Sequence, residues 1–274
     1  MKLRHHIAGS VVALSAGLFA VTASAGPVIY NLSLPNINTF DNVIIGTGST
    51  VVTAQVVQGT TVYNYTDKDG NPATVTVARP GGGAASMDSG YSSNGQSLSG
   101  AVWDINPAAN PAGGGVGGKA DIPGFNSGLT FTFSSPVNAF GFEIGDWATC
   151  CTGNTRPTAV QADYGVPAQG SGLWIAFDGG AATLPANALS DNDNPGYAAA
   201  SSYTNFIGAI DSSSFFSKVT FFGDGFGEFL VAGGTLRFAS VPKGSVGTVA
   251  EPSVLAMAGL ALVALAGLRR RRAD

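Results

Sequence analysis

Few residues of this chain could do chemistry, and their positions exclude several kinds of catalysis. Both histidines, His5 and His6, lie within the first 25 residues. That segment, residues 1–25, has a basic start, an apolar centre and a small-residue cleavage sequence at Ala23 and Ala25, which together predict a secretory signal peptide. The exported remainder would contain no histidine, which excludes catalysis or zinc binding that depends on imidazole.

Paired carboxylates are the next chemistry to consider, because glycoside hydrolysis needs two of them across one sugar. Between residues 26 and 250 the only glutamates are Glu143 and Glu228. Strand parity places Glu143 opposite its apolar neighbours, so we expect it to face solvent or a groove as an ordinary exposed charge. We assign no catalytic residue and predict that the protein is not an enzyme.

The only cysteines, Cys150 and Cys151, are adjacent in the chain. In an oxidising compartment they could form a vicinal disulfide, although neighbouring Cα atoms lie only about 3.8 Å apart, below the usual disulfide range. Reduced thiols and bridges to another molecule are the alternatives. A vicinal bridge would make a rigid knob that either lines a ligand pocket or stiffens a turn.

Two segments carry many oxygen ligands of the kind that calcium prefers. One runs from Asp191 through Asp193 to Gly196, and the other is Gly223-Asp224-Gly225. The same residues are common in plain turns, so both interpretations stay open. We predict no cofactor, apart from a possible calcium site at Asp191 and Asp193.

Charge and aromatic residues narrow the class of ligand. Residues 26–250 contain seven basic and fifteen acidic residues, a formal charge of −8, and the basic residues are scattered. This distribution argues against nucleic acid as a partner. Trp147, Trp174 and Tyr197 could stack on sugar rings if exposed, although core packing is the expected role of Trp174.

Short β-type segments separated by turn residues fill residues 26–248, which we take as one exported domain. Leu129 to Phe133 alternates apolar and polar residues until Ser134-Ser135-Pro136, where we expect the strand to end. No helical period is convincing there, and the β-branched run Val43 to Ile45 is assigned to a strand. The pattern predicts an all-β fold, an antiparallel β-sandwich of jelly-roll type.

Turns and core follow from the same pattern. The strand pairs flanking residues 67–71 and 178–180 predict two hairpins. Residues 79–118 are Gly-rich and are assigned to a mobile loop or linker with one apolar island at 102–105. We expect the core to contain the following side chains: Phe131, Phe133, Phe140, Phe142, Ile175, Phe177, Phe206, Val219, Phe221, Leu236 and Phe238.

The last residues, 249–274, form a separate segment. Glu251-Pro252-Ser253 precedes the apolar run 254–268, and four basic residues follow it: Arg269, Arg270, Arg271 and Arg272. A helix of about 15 residues spans about 22 Å, less than a hydrocarbon core of about 30 Å. Arginine snorkelling could make up the difference, so the run predicts a C-terminal transmembrane helix whose arginines stay cytoplasmic.

This tail resembles the PEP-CTERM sorting signal of exported bacterial proteins, with Ala-Glu-Pro in place of Pro-Glu-Pro. The resemblance covers about the last tenth of the chain. It implies export by the general secretion machinery, recognition by a membrane-embedded exosortase, and transient residence in the inner membrane. Cleavage near the motif would then deliver the protein to the cell surface or the extracellular medium, often alongside exopolysaccharide.

Two functional hypotheses follow. The first is a non-enzymatic surface or extracellular-matrix protein, sorted through its tail, whose β-sandwich contributes to adhesion or to a polysaccharide layer or biofilm. The second is a calcium-dependent carbohydrate-binding module. They differ because only the second requires a defined calcium site.

Overall fold

The computed structural model describes residues 26–93, 96–105, 112–147, 153, 155–190, 193, 201–224 and 230–246. These residues form two antiparallel β-sheets and two short helices. In chain order the elements are β1 Val28–Ser33, α1 Asn38–Gly46, β2 Val52–Gln55, β3 Val62–Thr66, β4 Pro72–Ala78, β5 Met87–Ser93, β6 Gln96–Ile105, β7 Leu129–Val137, β8 Ala139–Asp146, α2 Thr158–Tyr164, β9 Ser171–Phe177, β10 Thr183–Ala188, β11 Asn205–Ile210, β12 Phe216–Gly223 and β13 Leu230–Ala239.

The strands divide into a seven-stranded and a six-stranded sheet. Sheet A has the order β1-β11-β8-β13-β6-β5, with β2 also paired to β13, and sheet B has the order β10-β9-β12-β7-β4-β3. Their inner faces share one hydrophobic core. The predicted all-β architecture with two antiparallel sheets is therefore confirmed.

Strand β13 occupies the centre of sheet A and changes partners along its length. One edge pairs with β8, whereas the other pairs with β6 through Leu230–Gly233 and then with β2 through Thr235–Phe238. Between these two halves lies Gly234, whose φ of 62° is a left-handed conformation that side chains resist. A Cβ there would also collide with the Glu143 carboxylate, so glycine is required on both grounds.

Aromatic side chains fill the space between the sheets. The Phe131 ring lies at the centre, with its centroid 4.5 Å from that of Phe140 and 5.1 Å from that of Phe142. The predicted core residues are buried, with two differences: Phe177 is half-buried, and Phe206 belongs to a second cluster on the outer face of sheet A. Alternation of large apolar residues therefore identified the inner faces correctly except in β11, where Ile207 and Ala209 face inward instead of Phe206.

The assignment of Val43 to Ile45 to a strand is wrong, because these residues lie in helix α1. Phe40 and Ile44 are four residues apart and therefore share one helical face, which is fully buried. Phe40 packs against Phe206 with the ring centroids 4.9 Å apart. Burial of this face against sheet A outweighs the β preference of the branched residues.

The assignment of residues 79–118 to a mobile loop is wrong in its first part. Strands β5 and β6 form an antiparallel hairpin at one side of sheet A. Trp103 and Ile105 are fully buried in the core between the sheets. The small polar residues of the hairpin hid it, because an edge strand with an exposed face needs little apolar surface.

Strand β7 also differs from the prediction, since it continues through Ser134-Ser135-Pro136 to Val137. A register shift between Val137 and Thr132 against β12 accommodates the extra residues as a bulge. Proline is tolerated in strands at such irregular positions. The two predicted hairpins are confirmed, as β3–β4 and β9–β10.

Within the described part of the chain, neither helix has the length and apolar character needed to cross a membrane. The signal peptide over 1–25 and the sorting segment over 249–274 lie outside the described residues.

Candidate functional site

The sandwich has two ends, which are defined here by where the strands begin and end, and the candidate site lies at one of them. A row of paired residues, Val28, Ile210, Ala139 and Ala239, crosses sheet A at one end. Strand β1 begins and strand β13 ends in this row, so we call it the exit end. The opposite end, where β8 and β12 finish and β13 begins, is named the loop end.

A cleft of about 460 Å³ opens at the exit end. Three separate stretches of chain line it: the connection between α1 and β2, the turn after β3, and the end of β13 with its neighbour β7. The lining residues are Gly48, Ser49, Thr50, Val52, Tyr65, Thr66, Asp67, Lys68, Val137, Phe238, Ala239 and Ser240.

The cleft combines an apolar floor with a polar rim. Tyr65, Val137 and Phe238 are buried core residues. The Tyr65 ring meets Phe238 edge-on with the centroids 4.6 Å apart, and its hydroxyl donates to the Ser135 carbonyl at 2.5 Å. Hydroxyls of Thr50 and Thr66 and the Lys68 ammonium are more exposed at the rim.

Asp67 gives the cleft a fixed negative charge. Its Oδ1 accepts hydrogen bonds from the backbone N–H groups of Asn71 at 2.8 Å and Asp69 at 2.9 Å. Its Oδ2 accepts one from the Ser135 hydroxyl at 3.1 Å. The Asn71 N–H is the largest cause that lowers the pKa of Asp67, so the carboxylate stays ionised as an acceptor at neutral pH.

A buried asparagine anchors the chain as it leaves β13 beside the cleft. Asn138 Nδ2 donates to the Val241 carbonyl at 2.9 Å, and its Oδ1 accepts from the Val241 N–H at 2.7 Å. Farther on, the Gly244 N–H donates to the Ser212 carbonyl, and the Ser212 hydroxyl donates to the Val246 carbonyl. We call residues 241–246 the exit segment.

Most of the metal-binding, thiol and other reactive residues predicted from the sequence lie outside the described residues. Asp193 is described, and its Oδ2 accepts from the backbone N–H groups of Leu189 at 3.1 Å and Ser190 at 3.0 Å, which is a turn-capping arrangement. The other predicted residues of this kind lie outside the described residues: Cys150, Cys151, Asp191, Tyr197 and Glu228. Across the part of the chain that the structure describes, no group of three or more His, Cys, Asp or Glu side chains is placed to hold a metal ion.

Asp224, read from the sequence as part of an oxygen-rich loop, is instead buried in an ion pair. Its Oδ2 lies 2.7 Å from Arg156 Nη2 and 3.0 Å from Nε, and its Oδ1 accepts from the Trp174 indole N–H. Burial raises the pKa of Asp224, and the Arg156 guanidinium opposes that rise. Since Arg156 and Trp174 satisfy both oxygens, Asp224 is a structural anion rather than a cation ligand.

Arg156 joins four segments of the loop end, a role that no motif or spacing in the sequence indicates. Its Nη1 donates to the carbonyls of Pro167 at 2.8 Å and Gln169 at 3.0 Å, and its Nη2 donates to Asn187 Oδ1. These contacts hold the segments on both sides of α2 against β10 and the end of β12.

Glu143 points to the outer face as strand parity predicted, but it is not a freely exposed charge. Its side chain is 14% exposed, and its Oε1 accepts from the Thr235 N–H at 3.2 Å. Burial is the largest cause that raises its pKa, while Thr235 and Arg237 oppose the rise. The expectation of an ordinary solvent-facing charge is therefore wrong, because the Gly233–Gly234 bulge makes room to bury it.

The tryptophans do not form an exposed sugar platform. Trp147 is 2% exposed within the core between the sheets, and Trp174 is fully buried on the outer side of sheet B. The expected core role of Trp174 is confirmed, whereas exposure of Trp147 is not found. The cleft at the exit end was missed, because its three lining stretches are distant in sequence and Asp67 was interpreted only as a turn residue.

Comparisons of the chain with protein-family models, with curated proteins and with solved structures give no match.

Proposed function

We propose that the chain is a non-enzymatic exported protein of the cell surface or extracellular matrix that associates with exopolysaccharide through the exit-end cleft. The observation that carries this proposal is the cleft itself, in which hydroxyl, carboxylate and ammonium groups surround an aromatic floor. Saccharides present apolar ring faces and many hydroxyls, and sites of this mixed character suit them. The finer fold description, a jelly-roll sandwich followed by a transmembrane helix at 254–268, is part of the proposal.

Sorting is the second part of the proposal. The signal peptide over 1–25 would direct the chain to the general secretion machinery, and the tail with Glu251, Pro252 and Ser253 would be recognised by an exosortase in the inner membrane. Support comes from the two-ended arrangement of the sequence. The mass of the protein recovered from envelope and medium tests it: loss of the segment after about Glu251 supports sorting, and an intact Asp274 end in membranes contradicts it.

Binding is tested with the purified full chain in detergent and a fluorescently labelled short oligosaccharide cut from the exopolysaccharide of the organism that makes the protein. Thr50→Trp should fill the cleft and abolish binding. Asn64→Trp is the matched control, because Asn64 is exposed on the neighbouring β3 but does not line the cleft. Binding that survives Thr50→Trp, or that is lost equally in both variants, contradicts the cleft as the binding site.

The same assay distinguishes binding by the cleft alone from binding by a calcium-dependent carbohydrate-binding module. A chelator should leave binding unchanged if the cleft acts alone. Loss of binding with the chelator, restored by calcium, would favour the calcium-dependent carbohydrate-binding module instead. Release of reducing sugar from the polymer by the pure protein would contradict a non-enzymatic role.

A further inference from the structure

The exit end carries both chain ends of the described domain and also the cleft. We propose that this arrangement turns the cleft toward the membrane while the domain is held by its C-terminal tail, so that long polysaccharide binds the cleft more weakly before release than after it. The inference rests on the proposed function, because it uses the predicted tail and the glycan ligand.

The path of the exit segment supports this orientation. Asn138 holds Val241 at the end of β13, and Ser212 holds both Gly244 and Val246 beyond the end of β11. The segment therefore runs across the end of sheet A from β13 toward β11. Strand β1, where the described chain begins, is the next neighbour of β11, so the chain enters and leaves the domain at the same end.

The cleft opens on that same end. Its residues Val52, Phe238 and Ala239 belong to the last pairs of β2 and β13 at the exit end, and Val137 immediately precedes the turn at Asn138. A membrane that holds the chain through residues beyond Val246 would therefore face the exit end and its cleft, and the loop end would point away from it.

The segment between the domain and the predicted helix, which we call the tether, is too short to let the domain reverse its orientation on the membrane. Seven residues, 247–253, separate Val246 from the predicted helix, and fully extended they reach about 25 Å. Strand β13 has 10 residues, which at about 3.3 Å per residue make the sandwich about 33 Å long. Turning the cleft away from the bilayer would require the tether to follow that whole length.

The space left under the domain distinguishes short from long ligands. If residues 247–253 follow the scaling of a Gly- and Ser-rich linker, their mean end-to-end distance is about 15 Å. A short oligosaccharide fits into such a gap. A long hydrated polymer would lose conformational freedom there, because it would be confined between the protein and the bilayer. The expected effect is therefore selective: anchoring weakens binding of the polymer and leaves binding of a short fragment unchanged.

The test uses the full chain in lipid nanodiscs with a protease site inserted after Val246. Binding of labelled exopolysaccharide, and of a short oligosaccharide cut from it, is measured before and after cleavage in the same sample. We expect cleavage to strengthen polymer binding several-fold and to leave fragment binding unchanged. A second variant carries about 20 Gly and Ser residues at the same place, which lengthens the mean reach to about 30 Å and should restore polymer binding without cleavage.

Equal polymer binding before and after cleavage would overturn the inference. A released chain that binds neither polymer nor fragment would instead contradict the proposed function. The orientation is then measured without any ligand. A fluorophore is attached through an unnatural amino acid that replaces either Asp69 at the exit end or Ser202 at the loop end, both of which are exposed. Nitroxide-labelled lipid headgroups should quench the fluorophore at residue 69 more strongly, and equal quenching at the two sites would contradict the orientation.

Discussion

Arg156 and Asp224 form an ion pair at 2.7 Å although 68 residues separate them and their side chains are only 1% and 2% exposed. A charge removed from water to this extent is stable only while its partner remains. We therefore expect the stability of the loop end to depend strongly on this pair.

Arg156→Met should destabilise the protein by about 3–5 kcal/mol, because it leaves the Asp224 carboxylate buried without a cation. Adding Asp224→Asn to this variant should recover part of the loss. Urea unfolding at pH 7 measures the free energies. Lys68→Met is the matched control, since Lys68 and Asp69 also pair at 2.7 Å but are 52% and 62% exposed. That control should change stability by less than about 1 kcal/mol; equal losses in the two variants would contradict the importance of burial.

The cost of Arg156→Met should depend on pH. Burial already raises the pKa of Asp224, and loss of the guanidinium raises it further. A carboxyl whose pKa is higher in the folded state penalises folding as pH rises above its unfolded value of about 4. The variant should therefore lose less stability at pH 4 than at pH 7. An equal loss at both values would show that contacts other than charge dominate.

Asn138→Ala should loosen the exit segment. It removes both hydrogen bonds to the Val241 backbone in a site where Asn138 is 1% exposed, at an expected cost of about 1–3 kcal/mol. Hydrogen exchange of residues 241–246 should accelerate more than exchange in the centre of β13. Asn36→Ala, which removes one exposed bond to Ser33, should leave both regions unchanged.

Phe131→Ala should cost about 3–5 kcal/mol, because Phe131 is fully buried at the centre of the aromatic core. The control, Phe215→Ala, removes the same ring from a residue that is 42% exposed and should cost much less. Thermal and urea unfolding of both variants measure the difference. Comparable losses would mean that Phe131 is not central to the core.

Asp67→Asn should destabilise the turn beside the cleft at pH 7 but less so in acid. The Asn71 N–H lowers the pKa of Asp67, so its stabilising effect is present above the unfolded pKa of about 4 and disappears as pH falls through the lower folded value. Melting temperatures of variant and wild type should converge toward low pH. Asp69→Asn in the same turn is the control, and a constant difference across pH would contradict this assignment.

The local sequence pattern was sufficient to predict the central strands but not the helix and the edge strand that pack against them. Alternation around Phe131 and Phe142 predicted strands and inner faces, because a period of two requires only neighbouring residues. The helix at Phe40 and Ile44 escaped prediction, since its stability comes from packing against Phe206, far away in sequence. Strand β5 escaped because its residues are small and polar.

The candidate site was less accessible to prediction than the fold. Asp67, Thr50 and Phe238 are unremarkable where they stand in the sequence. The pairing of β2 with β13 brings Thr50 close to Phe238, and the packing of sheet B against sheet A adds Asp67 to the same cleft. The same reason explains Arg156, whose carboxylate partner is 68 residues away. Side chains that combine across long separations leave no spacing to recognise.

The central position of β13 also sets the time at which the domain can fold. This strand is the last of the described strands to be synthesised, yet β8, β6 and β2 all pair with it. Until it arrives, sheet A is divided into β1-β11-β8 and β5-β6, and β2 has no strand to pair with. We therefore expect sheet A to remain incomplete until almost all of the chain has been made, so that the proposed export would act on a chain that has not yet finished folding.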